Sequence, residues 1–170
     1  ASRGLGDVYK RQVLQGNSEL GLCSNLSPDD PVLCSLDRRV IHKEPVGLIV
    51  GKNHPFAHRS SVSVEDLRDE RFIVYIRSFR GTNQMLYDLC APYGFEPNIA
   101  MEAYNDYGVL NSVASGDGIA IIPTTRFLER PDVVRIPLDL KEPLMRDLTL
   151  VWRKNEKLPP AAAAFRDMLI

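Results

Sequence analysis

The chain has 170 residues, 44% of them hydrophobic and 25% charged, with a formal net charge of −1. This composition suits one soluble domain, or two small lobes sharing a cleft, and offers no basic footprint for holding a nucleic-acid backbone. No run approaches the roughly 18 apolar residues of a membrane span, so no membrane partner is expected. The 3 cysteines, Cys23, Cys34 and Cys90, are odd in number and lack C-x-x-C spacing. A reducing cytoplasm is therefore expected rather than a disulfide framework or a zinc site.

Residues 1–12 carry no hydrophobic periodicity and no apolar core of a secretory signal. They read as a non-native leader similar to translated adaptor sequence, with a genuine N-terminal arm as the alternative, and are set aside from the fold. Val13 and Leu14 before Gly16 predict a helix end and a glycine turn, and residues 19–23 a short buried strand. After a polar, proline-bearing loop, residues 39–42 and 45–50 predict two strands, the second apolar throughout and so covered on both faces. His54-Pro55 predicts a turn, and Ser63 before Glu65 and Asp66 an N-cap with acids in the first helical turn.

The β-branched and aromatic residues 71–76 predict a strand. Met85, Leu86, Leu89 and Cys90 then form a helical stripe closed by Gly94. Residues 99–103 predict another strand, and Asn105 caps a helix over 106–115 whose inner face is Val109, Leu110 and Val113. Gly116 and Gly118 end that helix before the apolar strand 119–122. They are no phosphate loop, because such loops run from strand to helix. Strands at 133–136 and 148–152 and a helix from Pro159 or Pro160 complete the chain. Alternating strands and helices predict an α/β fold with largely parallel sheets.

The order and spacing of several segments carry a resemblance. Leu14-x-Gly16-x-x-Glu19-Leu20-Gly21-Leu22, the run Pro45 to Val50 followed by His54-Pro55, and Val64-Glu65-Asp66-Leu67 all resemble LysR-type effector domains. So do Ser112 to Pro123, similar to the family's V-A-x-G-x-G-I-A-x-x-P segment, Leu150 to Lys154, and Ala164-Phe165. The resemblance spans Val13 to Ile170. It implies two Rossmann-like lobes joined by crossing strands, like a type 2 periplasmic-binding protein. Lobe I would hold residues 13–54 and 144–170, and lobe II residues 55–143. The first lobe is expected to be incomplete, and the helix-turn-helix and linker helix are absent from the sequence.

The family also implies a bacterial transcription regulator that senses a small-molecule effector in the cleft between its lobes. DNA would be bound only through a further N-terminal domain, and the parent would be a homo-oligomer. A solute-binding protein of a transport system is the alternative. No nucleophile–base pair, paired carboxylates or metal ligands stand out, so neither an enzyme nor a cofactor is expected. His54 is read as a turn former, and His42 and His58 as exposed.

In such folds ligands lie outside the carboxyl ends of strands. That rule selects Ser24 and Asn25, residues 76–82, and Ala103-Tyr104-Asn105. The physical case is best for Arg77, Ser78, Arg80 and Thr82. Cations, hydroxyls and the free N–H groups of a helix start together favour a carboxylate or another small anion. The competing reading is that Ser78 or Thr82 only caps the helix while the arginines stay solvated. Tyr104 either stacks on a ligand or fills the wall. Asn105 is a cap, a ligand contact, or both. Ser24 and Asn25 are ligand contacts or plain loop residues.

Overall fold

In the computed structural model residues 5–24, 26, 30–76, 80–124 and 130–170 are described, the side chains of 5–8 and 80–82 excepted. The chain divides into two compact units, residues 1–43 with 146–170, and residues 44–145. The first division falls inside one uninterrupted strand, β2 (Leu36–Gly51), where the sequence suggested two strands and a boundary after His54. Pro45 lacks an N–H, yet its carbonyl accepts from the Thr124 backbone N–H at 2.9 Å, so the strand passes through it unbroken.

In the first unit, α1 (Leu5–Leu14) packs on β1 (Leu20–Ser24), and β7 (Met145–Arg153) lies between β1 and β2. β1 and β7 are antiparallel, with Leu22 opposite Leu150. Val13, Cys23, Leu33, Leu36 and Val151 form the core here. The helix ends at Leu14 with Gly16 left-handed at φ 76°, as the glycine turn demands. Its start, however, lies inside the segment set aside as a leader. Lys10 of that segment is buried and pairs with Asp30. Burial alone would raise the Asp30 carboxyl, but Lys10 and the Val32 N–H hold it below its ordinary value. Arg153 ties the pieces together: one guanidinium nitrogen donates to the carbonyls of Val13 (2.6 Å) and Ser18 (3.0 Å), the other to Glu19 (3.0 Å). The Val13 carbonyl at the end of α1 thereby gains a second donor beside the Gly16 N–H at 3.1 Å. The terminal helix α4 spans Pro160–Leu169.

The second unit holds β3 (Arg71–Tyr75), α2 (Arg80–Cys90), β4 (Asn98–Ala103), α3 (Asp106–Ser115), β5 (Ala120–Pro123) and β6 (Val133–Ile136). β2 runs antiparallel to both β5 and β6, with Leu48 opposite Ile121 on one side and Ile136 on the other. β3 and β4 are parallel. Ile119 joins the two sets, because Ile73 N–H donates to its carbonyl and its own N–H donates to Arg71, each at 2.8 Å. The order across this unit is therefore β4, β3, β5, β2, β6. Side chains from both faces are buried: Leu48, Phe72 and Ile119 in one cluster, Ile49, Ile73, Leu110 and Val113 in another. The continuous apolar run of β2 is thus covered on both sides, as its composition requires.

Local signals explain most boundaries. Ser63 and Asp66 form a reciprocal capping box: Ser63 Oγ accepts from the Asp66 N–H at 3.2 Å, and Asp66 accepts from the Ser63 N–H at 3.1 Å. His54 Nδ1 accepts from the Phe56 N–H at 3.2 Å and caps the 3₁₀ turn Pro55–His58, so it shapes a turn. Asn105 caps α3 through the Gly108 N–H at 2.9 Å, and left-handed Gly116 closes it. Gly118 has another reason to be glycine. An alanine Cβ there would lie 2.5 Å from the Arg71 carbonyl oxygen, so it marks a close backbone crossing rather than a helix end.

The cysteines yield a direct check. Cys23 and Cys90 are buried and Cys34 is exposed, and burial pushes the Cys90 thiol up to about 11. A thiol reagent at pH 8 is expected to label Cys34 at once, and the other two only as the chain opens. Rapid labelling of all three in the native protein would contradict this packing.

Candidate functional site

The two parallel strands of the second unit end together. Tyr75 stands opposite Ala103, and the Ile76 N–H donates to the Ala103 carbonyl at 3.0 Å. A helix starts just beyond each end, α2 at Arg80 and α3 at Asp106. Both helix N-termini, with their positive dipole ends, therefore follow the carboxyl ends of one strand pair.

Side chains hold this arrangement. The amide of Asn83, in the first turn of α2, donates to the Tyr75 carbonyl at 2.6 Å. The Tyr75 hydroxyl donates to the Asp106 carboxylate, the first residue of α3. Asn105 accepts from Gly108 and so is a cap. Tyr104, beside it, is 77% exposed. Its ring is thus not part of this unit's core and is free to stack on a planar group.

The structure brings the ends of β3 and β4 side by side at Tyr75 and Ala103. Asn25, Arg77 and Ser78 lie outside the described residues, as do the side chains of Arg80 and Thr82. Ser24 ends β1 in the other unit, half-buried and opposite Leu148. Tyr75, Asn83 and Asp106 were not singled out from the sequence. Tyr75 reads as the last residue of a strand and Asp106 as a first-turn acid, and nothing local signals a bond between residues so far apart. An open groove of about 690 Å³ lies nearby, between Asn83, Gln84 and Tyr87 of α2 and residues 99–102 of β4. Val74 of β3, one residue before Tyr75, also lines it, so the groove reaches the paired strand ends. Among the described residues no cluster of His, Cys, Asp or Glu could hold a metal ion, and no helix is long and apolar enough to cross a membrane.

Residues 7–170 match the family model of the LysR substrate binding domain. The chain belongs to this family. It is an effector-binding domain of the LysR type, from a family of transcription regulators and not of enzymes. Over 147 residues it is 26% identical to the transcriptional dual regulator GltC of Bacillus subtilis, covering 85% of this chain and 48% of GltC. The LysR domain thus spans about half the length of the curated relatives it matches. Among solved structures it is similar to the regulatory domain of CcmR from Synechocystis PCC6803 in complex with 2-PG. The TM-score is 0.82 at 18% identity, over 98% of this chain and 78% of that one. It is also similar to the effector binding domain of QuiR in complex with shikimate, with a TM-score of 0.80 at 20% identity, over 99% of this chain and 77% of that one. At such identities these matches establish the fold, which is the mixed α/β, type 2 periplasmic-binding-protein-like one.

Proposed function

We propose that this LysR domain senses a small anionic metabolite, a carboxylate foremost, at the carboxyl ends of β3 and β4. Its occupancy would modulate DNA binding by a helix-turn-helix domain of a homo-oligomeric cytoplasmic parent. The observation that carries the reading is the meeting of two helix N-termini at the end of one parallel strand pair. Helix starts of this kind favour negative charge, and the sequence from the end of β3 into the first turn of α2 adds Arg77, Ser78, Arg80 and Thr82. Tyr104 supplies an exposed ring for a planar acid. Two of the structural relatives are complexes with 2-PG and with shikimate, which supports a small polar ligand here. Signalling needs only a difference in effector affinity between two states of the parent.

Isothermal titration with a panel of small aliphatic and aromatic acids, shikimate and benzoate among them, tests the site. For the acid that binds, Arg77→Ala and Arg80→Ala are each expected to weaken affinity roughly tenfold or more, the usual effect of losing one charge-assisted hydrogen bond. Unchanged affinity in both variants would place the effector elsewhere.

A further inference from the structure

Resting on that reading, we infer that Tyr75 is a positioning residue that couples the starts of α2 and α3 and thereby sets effector affinity. It is the last residue of β3 and only 7% exposed. Its hydroxyl donates to Asp106, the first residue of α3, 31 positions along the chain. Its carbonyl accepts from the side chain of Asn83, in the first turn of α2, at 2.6 Å. One residue thus holds one helix start through its side chain and the other through its backbone.

The chemistry suits a rigid clasp. A buried phenol without a partner is costly, so the hydroxyl keeps its acceptor. A carboxylate in the first helical turn is favoured by the helix dipole, so Asp106 is well placed as the acceptor. Asn105 caps the same turn from the other side through Gly108. Neither Tyr75 nor Asn83 has to touch the effector. They fix where the N–H groups that receive it point, and misplacing such groups by an ångström weakens binding.

The test is a double-mutant cycle on Tyr75→Phe and Asn83→Ala, read first without ligand. Tyr75→Phe removes only the hydroxyl and keeps the buried ring. Amide hydrogen exchange at residues 106–109 and 80–84 is expected to rise in both helices in each single variant, with the double variant less than additive. If each substitution loosens only its own helix and the effects add, the coupling is refuted. The second readout is affinity for the acid identified above, measured well below the melting temperature. Tyr75→Phe and Asp106→Ala are expected to weaken it about tenfold, while Asp106→Asn, which still accepts from the phenol, stays near the parent value. A fall in melting temperature with unchanged affinity would make Tyr75 merely structural. If the unmodified domain binds none of the acids, the effector reading fails, while the exchange experiment still decides the coupling.

Discussion

Gly118→Ala is expected to destabilise the second unit more than alanine at any other of its described glycines. A Cβ at this position would lie 2.5 Å from the Arg71 carbonyl oxygen, 3.1 Å from its carbon and 3.2 Å from Ile73 Cγ1. The first two are backbone atoms of β3 and cannot rotate away. Relief requires Ile119 to move off β3, and the two 2.8 Å hydrogen bonds at that seam go with it. Overpacking together with the loss of buried backbone bonds adds to on the order of 4 kcal/mol, or about 10 °C in melting temperature for a domain of this size. Gly116→Ala is the control. Gly116 is left-handed at φ 85°, but an added Cβ meets nothing within 4 Å, so only the backbone preference is lost, about 1–2 kcal/mol. Thermal melts of the two variants side by side decide it. A Gly118→Ala protein that melts with the parent would mean β3 and β5 are not joined as described.

Phe72→Ala is the second large effect. Phe72 is fully buried in β3, opposite Ile99 of β4 on one side and bridged to Ile119 on the other. Leu48, Leu67, Leu86 and Cys90 belong to the same cluster, so strands and the helix α2 all lose packing at once. Truncating a phenylalanine in such a place costs about 3–5 kcal/mol, a large share of the 5–15 kcal/mol typical of a whole domain. Urea unfolding should show a lower midpoint with an unchanged slope. Phe72→Leu, which keeps most of the volume, is expected to lose about 1 kcal/mol. An alanine variant as stable as the leucine one would show that the cluster collapses around the gap, contrary to a close-packed core. The same strand ends in Tyr75, so loosening Phe72 is also expected to weaken the acid affinity.

Much of the fold was legible because its signals are local. Asn105, the stripe Val109, Leu110 and Val113, and Gly116 delimit α3 within a single segment, and the structure places the helix at Asp106–Ser115 as read. His54 and Ser63 declare their turns through partners two or three residues away. Where the reading differed, a longer-range contact had overruled a local cue. β2 continues through Pro45, whose carbonyl accepts from the N–H of Thr124, the residue just after β5. Lys10 joins the structure through Asp30, a partner 20 residues on, which no periodicity in residues 1–12 could announce. α2 begins at Arg80, before its apolar stripe starts at Met85, and Asn83 ties that early part of the helix to the end of β3.

The strand ends at Tyr75 and Ala103 divide in the same way. That each strand is followed by a helix start rich in hydroxyl, amide or cationic groups was determined by the sequence alone, as was the membership in the LysR family that its ordered motifs suggested. That the two ends lie side by side, with Tyr75 bonded to both helices, was decided only by the tertiary structure. Capping and periodicity act over one helical turn and leave their mark in adjacent letters. Strand pairing is made by backbone groups that every residue shares, and it brings together positions whose side chains carry no record of their partner.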